Sequence, residues 1–300
     1  MDSGTETMCI VTGCSAVGKT DYAIDFAKKN NAEILSCDSI LVYRHMNIGT
    51  AKPTAADMRS VRHHCIDLVD PCERFDVAMF IAAAKNAIRE IEKSGKNVVV
   101  VGGPGFYLKA FFGPVIDGVK IGKDVNDFVN AKYETSGLDG VLSMLTSANG
   151  GVFPHIDVKN PRRIVSALKR CLASGKTLDA MRDDFEAAAS PFAAYSKHTI
   201  LLERPAENLA ERVRKRAEKM LRDGLVEEVK FLLANYENLS AGAGNVIGYR
   251  ETIRWLQNPT AEMDLIDAIS RSTMKLIKKQ GTWLKKHIPV DEIILLRNEF

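Results

Sequence analysis

The fold is decided close to the N-terminus, where residues 8–20 read MCIVTGCSAVGKT. Met8 to Thr12 is a short apolar run that predicts a buried strand, and apolar positions at 23, 24 and 27 predict a helix directly after the loop. Between them the chain matches the phosphate-binding pattern G-x-x-x-x-G-K-[ST], in the strand–loop–helix context that this motif requires. The residues expected to hold phosphate are Gly13, Cys14, Ser15, Ala16, Val17, Gly18, Lys19 and Thr20.

The chemistry of this loop follows from its residue types. Glycines let the backbone wrap so that its N–H groups converge on phosphate oxygens at a helix N-terminus, where the helix dipole favours negative charge. Lys19 adds a positive charge, and Thr20 adds a hydroxyl that can bind Mg²⁺, the expected cofactor. The loop by itself does not specify which phosphorylated molecule is bound.

Strands and helices alternate along the rest of the N-terminal part. Residues 33–36, 98–101 and 199–203 predict strands, and residues 81–93 have the apolar spacing of a helix. A continuous β-branched run such as Val98 to Val101 is typical of a strand buried on both faces of a parallel sheet. We therefore predict an α/β fold with a P-loop NTPase-like parallel sheet core.

The middle of the chain has a different pattern. From 113 to 196 turn signals and helical spacing prevail without a strong strand, so we predict a mostly helical insertion. Residues 1–112 and 197–300 would then form the core. A long helix at 207–222 begins a helical C-terminal region, which ends in a strand-like run at 291–296.

Composition places the chain among ordinary globular proteins. It has 300 residues, 46% apolar and 26% charged, with a net charge of +3. Disordered, collagen-like and supercharged classes are therefore set aside. The chain has six cysteines without a C-x-x-C pair, no signal-like N-terminus and no apolar stretch of about 18 residues, so we expect a cytoplasmic protein without a membrane partner.

The small net charge conceals an uneven distribution. Residues 158–178 carry six cations and no acidic residue, and residues 268–290 carry six more cations and again no acidic residue. The remainder of the chain is therefore acidic. Clustered cations of this kind are the electrostatic footprint expected of a surface that binds a polyanion.

Asp38 follows the second predicted strand and is the candidate general base. Ligands of open α/β sheets bind at the carboxyl ends of the strands, so this carboxylate should face the molecule that the loop holds. The strand at 98–101 ends in Gly102-Gly103-Pro104-Gly105, where a typical ATPase carries an acidic residue. The alternative for Asp38 is that it only caps the next turn.

Beyond the loop, a long and specific segment at 38–53 reads DSILVYRHMNIGTAKP. Further segments of this kind are HCID at 64–67, VGG at 101–103, PRRI at 161–164, SGKTL at 174–178, GYRE at 248–251 and KQGTWL at 279–284. Together they resemble the tRNA dimethylallyltransferases, the bacterial tRNA isopentenyltransferase family. The resemblance covers nearly the whole chain.

This resemblance implies transfer of a dimethylallyl group from dimethylallyl diphosphate to N6 of the adenosine 3′-adjacent to the anticodon, in tRNAs reading codons that begin with U. It implies that Asp38 accepts the N6 proton. Lys19, Thr20 and Mg²⁺ would stabilise the departing diphosphate. Arg216, with Arg212 one turn earlier, resembles the arginine of the family that contacts the diphosphate; on pattern alone both would belong to a solvated helix face.

The resemblance also implies that the anticodon stem-loop of tRNA is the partner, bound by a monomer and contacted by the insertion as well. Chemistry on a base requires that the adenine leave the stack. The residues expected to contact RNA are Asp38, Ser39, Ile40, Leu41, Pro104, Arg162, Arg163, Ile164, Val165, Ser166, Asn245, Gly248, Tyr249, Arg250, Lys278, Lys279, Gln280 and Trp283.

Three segments depart from the family pattern. The family's loop commonly reads G-P-T-x-S-G-K-T and reads GCSAVGKT at 13–20 here, which keeps the phosphate-binding skeleton. The family's G-G-T reads Gly102-Gly103-Pro104 here, and its Q-R-L-S-R reads RRIVS at 162–166. We expect these changes to alter the details of anticodon-loop recognition and not the transfer itself.

Three other functions remain open at this point. A small-molecule or nucleoside kinase would use the same loop for ATP, although the segment at 38–53 and the basic C-terminal region argue against it. Prenyl transfer to free adenine nucleotides is the second alternative. A non-catalytic RNA-binding module is the third, but it would have no use for Lys19, Thr20 and Asp38 together.

Overall fold

A six-stranded sheet forms the centre of the protein, whose computed structural model describes residues 7–153 and 156–297. The strands are β1 (Thr7–Gly13), β2 (Ala32–Ser36), β3 (His63–His64), β4 (Asn97–Gly102), β5 (Ser196–Glu203) and β6 (Glu292–Leu295). Their order across the sheet is β3-β2-β4-β1-β5-β6, and the neighbouring strands are parallel. The predicted parallel α/β fold is thereby confirmed.

Twelve helices are present in the described part of the chain. They are α1 (Lys19–Lys29), α2 (Ala55–Ser60), α3 (Val77–Lys93), α4 (Phe106–Lys109), α5 (Lys123–Asn149), α6 (Pro161–Ser174), α7 (Leu178–Ala187), α8 (Ala206–Arg222), α9 (Leu225–Asn235), α10 (Ala241–Gly244), α11 (Tyr249–Gln257) and α12 (Glu262–His287). Within that part, none of them combines the length and the hydropathy needed to cross a membrane.

Strand β3 is the element that the sequence pattern does not reveal. It consists of two residues, His63 and His64, which pair with Ile34 and Leu35 of β2. His64 is buried, and its Nε2 lies 2.7 Å from Oε2 of Glu33. A two-residue strand gives no period-2 pattern, so only its pairing with β2 defines it.

The C-terminal helices pack against the segment that follows β2. Val42 and Met46 are fully buried in one apolar cluster with Leu225 of α9, Tyr249 of α11 and Ile269 of α12. Burial of this apolar surface holds the segment against the helices. The chain from Asp38 onward is therefore placed between the carboxyl edge of the sheet and the C-terminal helices.

The chain divides into two compact units, Met1–Phe112 with Pro191–Phe300, and Gly113–Ser190. The sequence pattern put the second boundary six residues later, after residue 196, and this is wrong. The ring of Phe192 is buried and stacks on Phe111 at 4.3 Å, and the hydroxyl of Tyr195 donates to Glu92 at 2.8 Å. Both contacts are to residues of the first unit, so residues 191–196 belong there.

The second unit contains α5, α6 and α7 and, among its described residues, no strand. Gly137 interrupts α5 with φ 62°, so that element is two helical segments. The unit has its own apolar core, which includes Val141, Leu145, Ile164 and Leu168. A separate core of this kind is what allows an insertion to fold as its own compact unit.

Gly102 offers a direct test of how closely β2 and β4 approach at the carboxyl edge. A Cβ at Gly102 would lie 2.1 Å from the carbonyl oxygen of Cys37. We expect Gly102→Ala to lower the free energy of unfolding by about 2–3 kcal/mol, because the backbones must separate. Urea denaturation followed by circular dichroism measures the change.

The matched control for this substitution is Gly105→Ala. Gly105 has an extended φ of 166°, and nothing lies within 4 Å of its Cβ position. We expect its stability to stay close to that of the wild type. Equal stabilities of the two variants would contradict the close approach at Gly102.

Candidate active site

The phosphate-binding loop connects β1 to α1, as the motif predicts. Gly18 closes it in the left-handed region, with φ 106°, and α1 begins at Lys19. The amino group of Lys19 donates to the carbonyl oxygens of Gly13 and Cys14, both at 2.9 Å. Burial lowers the pKa of Lys19 to about 8, Arg216 lowers it further, and the carboxylate of Asp38 opposes both effects.

Two arginines bind the loop from its outer side. Nε of Arg204 donates to the carbonyl oxygen of Val17 at 2.8 Å, and Nε of Arg212 donates to that of Ala16 at 3.1 Å. Arg204 directly follows β5, which lies beside β1 in the sheet, and Arg212 is on α8. These contacts fix the backbone orientation of the loop through its carbonyl groups.

Helix α12 contacts the loop at Cys14 and Ser15. Oε1 of Gln280 accepts the N–H of Ser15 at 2.8 Å and its hydroxyl at 3.1 Å. The thiol of Cys14 donates weakly to the carbonyl oxygen of Ile277 at 3.7 Å. The amide of Ser15, expected to face a phosphate, is thus bound to Gln280. Gln280 supports the loop through Oε1, and its expected contact with RNA stays a prediction.

Asp38 lies two residues beyond β2, at the carboxyl edge of the sheet. Its Oδ1 accepts the N–H of Ile40 at 2.8 Å, so it does cap the following turn. It also lines a cavity of about 440 Å³ together with Lys19, Thr20 and Arg216. The structure therefore brings the four predicted catalytic residues together around one cavity.

Arg216 lies on the face of α8 that is directed at this cavity. Its Nη2 donates to the carbonyl oxygen of Thr50 at 3.3 Å. Burial lowers the pKa of Arg216, and the charge of Asp38 opposes that shift. Arg216 and Lys19 thus supply two positive charges to a cavity that contains the carboxylate of Asp38.

A second cavity, of about 570 Å³, shares part of its wall with the first. Ser15, Ile40 and Arg216 line both of them. The wall of the second cavity also includes Asn245 and Lys279. Each of the two adjoining volumes is of a size that holds a small-molecule ligand, and Arg216 lies in the wall that they share.

Comparison with known proteins identifies the family of this site. The family model described as IPP transferase matches residues 41–287. A tRNA dimethylallyltransferase of Opitutus terrae is 42% identical over 280 residues, which are 93% of this chain and 90% of the relative. The chain belongs to the IPP transferase family.

Solved structures agree with this assignment. The full-length tRNA isopentenylpyrophosphate transferase of Bacillus halodurans is 30% identical with a TM-score of 0.70, and the match covers 99% of this chain and 92% of that one. A eukaryotic dimethylallyltransferase acting on tRNA has a TM-score of 0.80 at 24% identity, covering 97% and 74% of the two chains, and shows the shared fold.

Two residues of this IPP transferase that were expected to contact RNA are buried instead. Tyr249 is fully buried, and its hydroxyl donates to Oε1 of Glu228 at 2.6 Å. Ile164 is fully buried in the core of the second unit. Neither residue is exposed to solvent, because a motif match does not separate packing positions from exposed ones. Their expected contact with RNA stays a prediction.

The other expected RNA residues of the first unit lie in or near the cavities. Ile40 and Leu41 line the first cavity, while Ser39 is exposed. Pro104 is half-buried in the loop after β4, and the backbone of Gly248 is buried against Gly49.

The C-terminal helices of the IPP transferase carry the remaining expected residues of the first unit. Asn245 is exposed, and Nη2 of Arg250 binds Oε1 of Glu251 at 2.5 Å. Lys278 and Lys279 are exposed on α12. Trp283 is half-buried with its ring 4.9 Å from that of His287.

In the second unit, the remaining expected residues lie on the first turns of α6. Arg162, Arg163 and Ser166 are exposed, and Val165 is half-buried. Asn160 caps the helix by accepting the N–H of Arg163. The capped helix therefore presents both arginines to solvent.

Sequence reasoning missed three residues that support the site. Arg204 could have been found, because it is a cation at the carboxyl end of the strand next to β1. Lys52 is buried and binds Asp67 at 2.5 Å and the carbonyl oxygen of Tyr43 at 2.8 Å. Lys52 lies within the specific segment at 38–53, and that motif was the signal that could have found it. Glu228 has no such signal, since the backbone amides that it binds are about 180 residues away along the chain.

Proposed function

We propose that this IPP transferase transfers a dimethylallyl group from dimethylallyl diphosphate to N6 of the adenosine 3′-adjacent to the anticodon, in tRNAs reading codons that begin with U. The observation that carries this proposal is the convergence of Lys19, Thr20, Asp38 and Arg216 on one cavity. The family assignment and relatives named tRNA dimethylallyltransferase support it.

The positive groups of the cavity suit a departing diphosphate. As the allylic C–O bond breaks, its electron pair leaves with the diphosphate, and positive charge develops on the carbon. Lys19, Arg216 and the N-terminus of α1 can stabilise that anion, and they are already in place before the reaction. Preorganised charge of this kind is the main catalytic contribution that the residues offer.

Asp38 suits the acceptor side of the reaction. The new C–N bond forms while the amine loses a proton, and the carboxylate of Asp38 accepts that proton. Ile40 and Leu41, which follow Asp38 along the cavity wall, offer apolar surface to the adenine and the prenyl group. The adenosine must leave the anticodon stack to reach this position.

The residues also fit Mg²⁺. Thr20 and Asp38 place a hydroxyl and a carboxylate on the same cavity wall, and hard oxygen ligands are those that Mg²⁺ prefers. Among residues 7–153 and 156–297, no cluster of three or more His, Cys, Asp or Glu side chains is arranged to hold a metal. One or two protein ligands suffice for Mg²⁺ when phosphate oxygens and water supply the remaining ligands. Bound Mg²⁺ would neutralise negative charge on the diphosphate.

Exposed cations supply the surface for the tRNA partner. Lys278 and Lys279 on α12, and Arg162 and Arg163 on α6, are exposed in their respective units. Lys and Arg at such positions neutralise backbone phosphates and orient an RNA without reading its sequence. We place the enzyme in the cytoplasm as a monomer, with the anticodon stem-loop of tRNA as its partner.

The proposed function is tested with an unmodified tRNA that reads codons beginning with U. After incubation with dimethylallyl diphosphate and Mg²⁺, nucleoside mass spectrometry should show N6-dimethylallyladenosine. The matched control is the same tRNA with guanosine at the target position, which should stay unmodified. Phosphate transfer from labelled ATP in place of prenylation would establish the kinase, and product on AMP alone would establish the nucleotide prenyltransferase.

A further inference from the structure

Glu228 is a half-buried carboxylate on α9 that accepts hydrogen bonds from four donors. Its oxygens accept the backbone N–H groups of Asn47, Ile48 and Gly49 at 2.9 to 3.2 Å. They also accept the hydroxyl of Tyr249 at 2.6 Å. Successive amides that converge in this way form an anion-binding concavity, and here a side chain of the protein itself occupies it.

The loop that Glu228 holds leads directly into the cavity of Asp38 and Arg216. The hydroxyl of Thr50 donates to the carbonyl oxygen of Met46 at 2.7 Å and closes the turn. The carbonyl oxygen of Thr50 then accepts Nη2 of Arg216 at 3.3 Å. The position of this turn therefore decides where the guanidinium of Arg216 lies.

Tyr249 fixes the same loop from the side of α11. A Cβ at Gly49 would lie 2.4 Å from Cε2 of Tyr249, so loop and ring are in close contact. Burial raises the pKa of the Tyr249 hydroxyl, and the charge of Glu228 raises it further, so this hydroxyl remains a hydrogen-bond donor at neutral pH. Glu228 thus accepts from the loop and from α11 at once.

We infer that Glu228 is a positioning residue for the transfer reaction. By holding the amides of residues 47–49 it fixes the carbonyl of Thr50, and through it the orientation of Arg216 toward the diphosphate of the donor. Glu228 lines neither of the two cavities that Arg216 lines, so it acts through the loop and not by touching the substrate. The inference rests on the proposed function, because it names the residue that orders the same site.

The first variant is Glu228→Gln, which keeps the size of the side chain. An amide has a single acceptor oxygen and turns an NH₂ group toward donors, so the four donors cannot all be satisfied. We expect the KM for dimethylallyl diphosphate to rise about tenfold, with the Kd for tRNA unchanged. The matched control is Glu227→Gln, an exposed neighbour on α9 that pairs with Lys230, for which KM should not change.

A double-mutant cycle separates positioning from a general structural effect. If Glu228 acts through Arg216, then adding Glu228→Gln to Arg216→Ala should raise the donor KM no further. A structural role would make the two effects multiply, and that result would overturn the inference. An unchanged donor KM in Glu228→Gln would also overturn the positioning role of Glu228. KM is the suitable measure because it does not depend on what fraction of the variant is folded.

Binding of inorganic diphosphate separates this inference from the proposed function. Calorimetric titration should show affinity about tenfold lower for Glu228→Gln than for the wild type, whether or not tRNA is modified. Tyr249→Phe, which removes one donor and keeps the ring, should weaken binding less. Equal diphosphate affinities in all three proteins would overturn the positioning role, whereas absent tRNA prenylation by the wild type would overturn only the proposed reaction.

Discussion

Asp38→Asn should reduce the rate of prenyl transfer by about 10²- to 10⁴-fold, which is the contribution of a positioned general base. Asparagine has nearly the same shape and can still accept the N–H of Ile40, the contact that Asp38 makes at 2.8 Å. It cannot take the proton of the acceptor amine. The affinity for tRNA should therefore be retained while turnover is lost.

Single-turnover kinetics with labelled donor and a filter-binding assay with unmodified tRNA measure the two quantities separately. Asp25→Asn is the matched control, since Asp25 is an exposed carboxylate on α1 that does not line the cavity. Its transfer rate should equal that of the wild type. Turnover of Asp38→Asn close to that of the wild type would remove Asp38 from the role of base and leave it as a turn cap.

The sheet and its loop could be predicted because their signals are local. The run from Val98 to Val101 is buried on both faces, so every residue of it is apolar, and the loop motif carries its own strand and helix. The position of Asp38 followed from the rule that the carboxyl ends of parallel strands share one edge. No comparable rule predicts strand β3, because two residues are too few to show a strand pattern.

Arg216, the predicted catalytic arginine, could not be separated from its neighbours by local sequence pattern. Arg216 lies on α8 next to Lys215 and two residues from Arg214, and both of these are exposed and bind acidic neighbours on the helix surface. Only packing against the loop at Thr50 makes Arg216 different. The family resemblance gave its role, because related chains carry the outcome of that packing in their motifs.

The same motifs carry no information about packing, so they predict an RNA contact for buried and exposed positions alike, as Tyr249 and Ile164 show. Both lie within matching segments, and both are fully buried. Glu228 is a residue that supports the site but lies outside the matching segments. In the sequence it resembles part of a charged helix surface beside Glu227. The three backbone amides that it binds lie about 180 residues earlier in the chain, so its role depends on tertiary structure.

Lys19→Met should lower kcat/KM for dimethylallyl diphosphate by about 10²- to 10³-fold, because it removes a preorganised positive charge beside the leaving group. Methionine keeps a long, flexible side chain, so the loop retains most of its packing. Lys28→Met, on the exposed side of α1, is the matched control and should leave kcat/KM unchanged. Steady-state kinetics at saturating tRNA measure both variants.

The pH dependence of kcat/KM for the donor tests the role of the Lys19 charge more specifically than the loss of rate does. Its pKa is lowered to about 8 by burial and by Arg216, so in the free enzyme the ammonium form is progressively lost as the pH rises through that value. Donor binding needs this cation, and kcat/KM for the donor should therefore fall above pH 8. Well below that value the lysine is charged, so it contributes no slope of its own to the profile.

Ionisation of the donor itself is common to all variants, so the ratio of wild type to Lys19→Met at each pH isolates the lysine. This ratio should be large and constant well below pH 8 and decline as the pH rises through that value. Lys19→Arg is informative as well, because a guanidinium stays protonated over the whole range and its profile should have no alkaline limb beyond that of the donor. A ratio that stays constant to pH 9.5 would mean that the lysine remains charged within the loop, held by Asp38 against the effects of burial and of Arg216.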